Sequence, residues 1–248
     1  NYAMFSAYTK MFGGKEVKHF YEEDLTFQVK SFLKKINSNT RLVIISNPGH
    51  TGSVISKKNI IRIIKEAKIH KSIILIDEAY HHFYNQTMIE EIQNYENLII
   101  SRTFSKAFGL ASIRIGLLAG SKKIIHELYK VKLVHEITGV AAKIGKYMLD
   151  NMNIVDRYVK DVNQGKRVLY DRLKKNNFEV LKSEANFVYF RSLFSLNVLG
   201  FLDFLKENKI LIKGPFTNKP FNNHLRITVG DKDQMNKFCD SLETYLNS

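Results

Sequence analysis

Three short, continuously apolar runs constrain the fold of the first half of the chain: RLVIIS at 41–46, SIILID at 72–77 and ENLIIS at 96–101. Runs of this length without polar alternation are typical of parallel strands that are covered on both faces. Between the first two runs, isoleucines and an alanine recur at helical spacing, which predicts a helix with one buried stripe. A further strand is predicted at IRIGLLAG, 113–120. The sequence therefore predicts an α/β fold with a mixed, mostly parallel sheet.

The second half follows another pattern. VKLVHEITGVAAKIGKYML leads into a long helical region that reaches about Leu173, and from Phe178 short strands and helices alternate. The predicted strands are FEVLKS, NFVYFRS, KILIKG and NHLRITVG, and an amphipathic helix ends the chain. We therefore expect a large domain over 1–140, and a linking helix with a smaller C-terminal α/β domain over 141–248.

Lys106 is the residue whose surroundings suggest chemistry. It lies in a turn after a buried strand, with Thr103 and Ser105 before it and Arg114 after it. Partial desolvation makes a lysine amine available for Schiff-base chemistry, and hydroxyls with a guanidinium suit a phosphate group. Lysine and phosphate together suggest pyridoxal phosphate. The alternative is a solvated lysine in a polar turn.

The segment TFSKAFGLASIRIG resembles the lysine segment of fold-type I aminotransferases, in particular the histidinol-phosphate aminotransferase family. That family's pattern reads T-x-S-K-A-F-G-L-A-G-x-R-x-G, and Ser112 stands in place of its glycine. The resemblance implies the PLP-transferase fold of type I. It also implies that Lys106 carries the cofactor covalently, while Thr103, Ser105 and Arg114 hold its phosphate.

Two strand ends extend the resemblance. DEAYHHF is similar to the family's D-E-A-Y-x-x-F, in which the aspartate pairs with the pyridine nitrogen and the tyrosine bonds the 3-oxygen. These roles fall on Asp77 and Tyr80, although a carboxylate at Asp77 could instead cap the next helix. NPGHTG is similar to N-P-x-N-P-T-G but one residue shorter. Asn47 is our choice for the asparagine that bonds the 3-oxygen, and His50 is the alternative.

Further segments complete the resemblance. The start, NYAMF, resembles the family's P-T-Y-x-M-Y, which gives Tyr2 a stacking role on the pyridine ring, against the alternative of a rim aromatic. LRITVG resembles L-R-I-T-x-G, whose arginine holds the substrate α-carboxylate. Arg226 takes this role unless it extends to solvent. The family often has a second arginine at Lys213, so preference for a phosphorylated substrate stays open.

Composition indicates which classes of partner and which cellular compartment to expect. The net charge of +14 comes from lysines spread along the chain without an arginine-rich tract, which favours anionic small substrates over nucleic acid. Cys239 is the single cysteine, so an internal disulfide is excluded and a reducing, cytoplasmic location is expected. No run approaches the roughly 18 apolar residues of a membrane span. His81 and His82 are adjacent, which does not suit a metal pair, and we expect no metal site.

Taken together, these features predict a pyridoxal-phosphate-dependent aminotransferase that moves an amino group between an amino acid or amino-alcohol phosphate and a 2-oxo acid. The resemblance also implies a homodimer, which is the usual assembly of this fold. The alternatives are a decarboxylase similar to threonine-phosphate decarboxylase and a non-enzymatic basic binding protein. The family's phosphate-cradling turn lies upstream of the tyrosine segment, so we expect a preceding segment before Asn1. The identity of the substrate stays open.

Overall fold

The apolar runs form neighbouring strands in the computed structural model, which describes residues 2–24, 26–217 and 219–248. Strands β1 (Leu42–Ser46), β2 (Ile73–Asp77) and β3 (Leu98–Thr103) are parallel, and β4 (Gly116–Gly120) runs antiparallel to β3. The order in the sheet is β1-β2-β3-β4. The predicted mixed, mostly parallel sheet is confirmed.

The first compact unit extends to Met152 and contains five α-helices in the described residues. They are α1 (Ala3–Met11), α2 (Val29–Leu33), α3 (Lys57–Ile69), α4 (Lys122–Tyr129) and α5 (Gly139–Asp150), with short 3₁₀ helices at His81–Phe83, Ile89–Gln93 and Ala111–Ile113. The predicted stripe of α3 packs against the strands, and its members are fully buried: Ile60, Ile63, Ile64 and Ala67.

The register of the sheet aligns the ends of the three parallel strands. Ser46 of β1 stands opposite Asp77 of β2, and Asp77 stands opposite Ser101 of β3. The carboxyl edge of such a sheet is where open α/β folds place ligands. Polar side chains from three separate segments therefore meet at this edge.

Helix α5 explains why the first unit continues past residue 140, where the predicted large domain ends. Ala141 packs with Phe104 and Ile115, and a Cβ on Gly145 would lie 3.2 Å from Ile115 Cδ1. Because α5 packs directly on the segment that carries Lys106, it belongs to the first unit.

The second unit, from Asn153 onward, has its own antiparallel sheet, with strand order β5-β6-β7. Its elements are α6 (Met152–Lys175), β5 (Phe178–Val180), β6 (Phe187–Ser192), α7 (Val198–Glu207), β7 (Leu225–Thr228) and α8 (Lys232–Leu246). Phe190, Phe201 and Phe238 are the largest fully buried side chains of its core. Cys239 is also buried, and burial raises the pKa of its thiol to about 11.

The predicted strand KILIKG is wrong. Only Lys213 pairs, in an isolated bridge with Arg226. Gly214 ends the pairing because its φ of 124° turns the chain, and a Cβ there would lie 2.7 Å from the His224 carbonyl oxygen. A conformation with this φ suits glycine alone and does not continue a strand.

Within these described ranges, no helix combines the length and apolarity needed to cross a membrane. The same ranges contain no group of three or more histidine, cysteine, aspartate or glutamate side chains placed to hold a metal ion.

Candidate active site

Asp77 ends β2 between two serine hydroxyls. Ser46 Oγ donates to Asp77 Oδ2 at 3.3 Å, and Ser101 Oγ donates to Oδ1 at 3.2 Å. The backbone N–H of Ala79 also donates to Oδ1, at 3.2 Å. Burial raises the pKa of this carboxyl despite these hydrogen bonds, each of which lowers it. Among the described residues no basic side chain forms an ion pair with this buried carboxyl.

Lys106 and Tyr80 come together at the same edge. Tyr80 follows Asp77 by one turn and is buried, and Lys106 Nζ lies over its ring, 5.5 Å from the centroid. The ring of His50 packs edge-on against Tyr80, with centroids 6.2 Å apart. The loops after β1, β2 and β3 thus each contribute one side chain to a single cluster.

The turn that carries Lys106 is built by local hydrogen bonds. Thr103 Oγ1 accepts from the backbone N–H of Ser105 at 3.1 Å, which holds the two hydroxyl residues together. Gly109, at a φ of 69°, donates its backbone N–H to the Lys106 carbonyl at 2.9 Å. Arg114 adopts a left-handed conformation, and its Nη1 donates to the Ala111 carbonyl at 2.7 Å. The Arg114 side chain is exposed at the end of this turn.

Asn47 closes the loop after β1 with its own side chain. Its Oδ1 accepts from the Ile55 N–H at 2.8 Å, and its Nδ2 donates to the Ile55 carbonyl at 3.2 Å. Its backbone N–H donates to the Asp77 carbonyl at 2.9 Å. These bonds leave one amide hydrogen of Asn47 for a ligand. The loop residue whose ring lies beside Tyr80 is His50, the alternative to Asn47 in the sequence analysis.

Tyr2 lies at the N-cap position of α1, with 49% of its surface exposed. Its ring makes an edge contact with Phe5, at 5.8 Å between centroids. Within the described part of the chain, it forms no ring contact or hydrogen bond with Asp77, Tyr80 or Lys106.

A buried polar network beside the site was not anticipated from the sequence. Glu78 is 2% exposed and accepts from Arg102 Nε at 3.1 Å, Arg102 Nη2 at 2.9 Å and the Met88 N–H at 2.6 Å. Thr87 Oγ1 lies 2.8 Å from the same carboxylate and accepts from Arg102 Nη2 at 2.8 Å. Nearby, burial lowers the pKa of His81, an effect that Arg102 reinforces and Glu78 opposes.

The strand register is the signal that could have revealed these partners. Ser46 and Ser101 are the residues opposite Asp77 in the neighbouring strands, and Arg102 directly follows Ser101 just as Glu78 follows Asp77. In a parallel sheet, successive residues point to opposite faces. Asp77 therefore forms one polar cluster with Ser46 and Ser101, and Glu78 forms a second cluster with Arg102 on the opposite face.

Arg226 lies in the second unit, on β7, directly opposite Tyr189 of β6. Its Cζ lies over the ring of Phe187 at 5.2 Å and over that of Tyr189 at 5.9 Å. No carboxylate of the described residues pairs with it. Lys213 bonds it through the backbone in both directions, at 3.0 and 2.7 Å, and the Lys213 side chain is exposed.

Comparisons with known proteins agree with the aminotransferase resemblance found in the sequence. The chain matches the model of a family described as aminotransferase class I and II over residues 1–242. A histidinol-phosphate aminotransferase of Caldanaerobacter subterraneus subsp. tengcongensis is 32% identical over 249 residues, covering 100% of this chain and 69% of the relative.

Two solved structures share the architecture. The histidinol-phosphate aminotransferase from Clostridium acetobutylicum matches with a TM-score of 0.88 at 25% identity, covering 99% of this chain and 75% of that one. The L-threonine-O-3-phosphate decarboxylase from Porphyromonas gingivalis matches with a TM-score of 0.79 at 19% identity, covering 100% and 75%, and this likeness concerns the fold alone. The chain spans between 53% and 69% of the length of curated relatives that it matches.

Proposed function

Because the chain belongs to the aminotransferase class I and II family, we propose that it moves an amino group between an amino donor and a 2-oxo acid, with pyridoxal 5′-phosphate as cofactor. The donor we propose is an amino acid or an amino-alcohol phosphate of the histidinol-phosphate type, because curated relatives at 32% identity carry that name. The alternative of a non-enzymatic basic binding protein does not agree with family membership.

The observation that carries this proposal is the burial of the Asp77 carboxyl without a basic partner among the described residues. A carboxyl whose pKa is raised by burial, and which has no basic partner among the described residues, gains stability from a cation placed beside it. The protonated pyridine nitrogen of the cofactor is such a cation. Tyr80 and Lys106 stand next along the same edge. These residues therefore fit the cofactor.

Each residue has a definite task in this proposal. When bound, the cofactor supplies an aldehyde for the amino group and an electron-withdrawing ring. Asp77 would hold the proton on the ring nitrogen, and Lys106 Nζ would be the group that holds the cofactor covalently and moves the proton at the substrate Cα. The remaining residues orient the reactants: Tyr80 with His50 or Asn47 at the 3-oxygen, Tyr2 on the ring, Thr103, Ser105 and Arg114 at the phosphate, Arg226 at the substrate carboxylate, and Lys213 at a second anionic group.

The proposed assembly is a homodimer. A run of large apolar side chains in the first unit is exposed, and we call it the 129–147 surface: Tyr129, Val131, Leu133, Val134, Ile137, Val140, Ile144 and Tyr147. Monomeric proteins rarely expose so many large apolar side chains in one segment. We therefore propose that a second copy of the chain covers the 129–147 surface. For location we propose the cytoplasm, a reducing compartment in which an unpaired buried thiol such as Cys239 persists.

The experiment that tests the function is borohydride reduction of the cofactor-loaded protein, followed by peptide mapping. We expect the label on Lys106. Lys106→Ala should lose turnover by about 10²- to 10⁴-fold, the usual contribution of a positioned acid or base. Lys123→Ala, which removes an exposed lysine of α4, is the matched control and should retain activity. A label elsewhere would overturn the assignment of Lys106.

The reaction type has a separate readout. A transaminase requires a 2-oxo acid as acceptor, whereas a decarboxylase releases carbon dioxide without one. Turnover that depends on the oxo acid supports the aminotransferase. Carbon dioxide release in its absence would support a decarboxylase and would leave the assignment of Lys106 intact.

A further inference from the structure

Arg226 is half-buried, and no acidic residue of the described ranges pairs with its guanidinium. In the described ranges no aspartate or glutamate forms an ion pair with it, and its side-chain nitrogens make no hydrogen bond. A charge removed from water in this way is costly unless something else compensates it. The arrangement therefore needs a physical explanation other than a salt bridge.

Two aromatic rings take the place of that partner. Phe187 and Tyr189 lie two residues apart on β6, so their side chains share one face of the sheet. Arg226 Cζ lies over both, at 5.2 and 5.9 Å from the ring centroids. The negative face of an aromatic ring attracts a cation at this distance, and arginine is the cation most often found there.

The rings are themselves held in place. Phe187 and Tyr189 are both buried, and they contact each other edge-to-face with centroids 5.8 Å apart. Phe221 stacks on Tyr189 at 4.3 Å with an angle of 26° between the planes. On its other side, the Arg226 backbone is fixed to Lys213 by two hydrogen bonds. Arg226 is thus fixed on both sides of β7, through its guanidinium by the rings of β6 and through its backbone by Lys213.

We propose that Phe187 and Tyr189 are positioning residues that hold Arg226 ready for the carboxylate of the substrate, an inference that rests on the proposed function. An aromatic ring attracts the charge but does not accept strong hydrogen bonds, so the five N–H donors of the guanidinium stay available. A protein carboxylate in the same place would occupy those donors and compete with the substrate. The rings place the arginine without reducing its affinity for an α-carboxylate or a 2-oxo acid.

The test compares ring-free with ring-retaining variants of the full-length, cofactor-loaded enzyme. Tyr189→Met and Phe187→Met keep an apolar side chain of useful volume but remove the ring. We expect each to raise the KM for the 2-oxo acid and for the amino donor by about five- to tenfold, with a smaller change in kcat. Tyr189→Phe keeps the ring and should stay within twofold of wild type, as should the visible absorbance of bound cofactor in every variant.

A packing control separates positioning from stability. Phe221→Met removes a ring that stacks on Tyr189 but that makes no cation–π contact with Arg226 in the described ranges, so it should lower the Tm and raise KM by less than about twofold. Equal KM values for wild type, Tyr189→Met and Phe187→Met would overturn the proposal. An equal rise in KM for Phe221→Met would also overturn it, because general loosening of the unit would then explain the effect.

A binding measurement keeps this test independent of turnover. Titration calorimetry with maleate, a non-reacting dicarboxylate, reports carboxylate affinity directly. We expect the Kd to rise by about the same five- to tenfold in both methionine variants. If wild type binds maleate but transfers no amino group, the proposed function fails. The maleate Kd values of the methionine variants then still test the positioning role. If the methionine variants bind maleate as wild type does, the positioning role fails alone.

Discussion

At the scale of single residues, the proposed role of Asp77 at the cofactor ring has a cost in stability. Its carboxyl is buried between Ser46 and Ser101, and burial raises its pKa. A group whose pKa is higher in the folded than in the unfolded chain contributes stability that is fully present below the unfolded pKa, near its ordinary value of 3.8. That contribution is lost as the pH rises through the higher pKa of the folded chain.

Replacing Asp77 should therefore stabilise the cofactor-free protein at neutral pH. We expect Asp77→Asn to increase the free energy of unfolding at pH 7 by about 1 kcal/mol, the usual size of a single stabilising substitution. The gain should shrink as the pH falls towards the ordinary value of 3.8, because the carboxyl of the folded chain becomes protonated before that of the unfolded chain. Urea unfolding of cofactor-free protein between pH 4 and pH 8 measures this difference.

The matched control is Asp203→Asn, which neutralises an exposed carboxyl of α7 and should show no pH-dependent gain. A destabilisation by Asp77→Asn that is the same at every pH would contradict the explanation. It would mean that the hydrogen bonds from the serines outweigh the desolvation of the carboxylate.

At the scale of elements, the network of Glu78 joins β2 to β3 just behind the site. Arg102 donates two hydrogen bonds to the buried Glu78 carboxylate, and the Met88 N–H adds a third from the loop that follows β2. The strand that ends at Asp77 and the strand that leads to Lys106 are thus tied together by side chains as well as by the sheet.

Removing one partner of this pair should destabilise the first unit strongly. Arg102→Ala leaves the Glu78 carboxylate buried without its counter-charge, and we expect a loss of about 3 kcal/mol, the usual cost of breaking a buried ion pair. Arg102→Lys keeps the charge but not the bidentate hydrogen bonding, so its free energy of unfolding should fall by less. Urea unfolding measures both, and a loss below about 0.5 kcal/mol for Arg102→Ala would contradict this prediction.

At the scale of the whole molecule, the 129–147 surface predicts self-association. Val134 and Val140 are 84% and 70% exposed, which is unusual for valine unless another chain covers them. We expect the double variant Val134→Lys, Val140→Lys to weaken the dimer by about 30-fold or more, because a charge in an apolar interface is costly to desolvate.

Sedimentation velocity of the full-length protein over a range of concentrations checks this expectation. The control is Leu211→Lys, which changes an equally exposed side chain, at 81%, in the second unit and should leave the dimer intact. A wild-type protein that stays monomeric, or a double variant that dimerises as wild type does, would rule out this surface as the interface.

Much of the fold could be predicted from the sequence because its signals are local. A continuous apolar run such as RLVIIS is typical of a buried parallel strand, and the stripe of α3 is typical of a helix with one buried side. KILIKG has the same apolar character yet makes one bridge, because Gly214 turns the chain and the pairing depends on a distant strand. In this segment apolar composition predicted neither a strand nor burial, since Leu211 is 81% exposed.

The chemistry of the site divides in the same way. The sequence by itself determined the residue types: a lysine in a turn after a strand, an aspartate at a strand end, and an arginine in an apolar strand. Only the tertiary structure decided their partners. Strand register places two serines at Asp77, loop closure engages the Asn47 amide with Ile55, and cross-strand pairing seats Arg226 on aromatic rings. Each of these contacts joins residues from separate segments, and its energy depends on distances that only the folded chain sets.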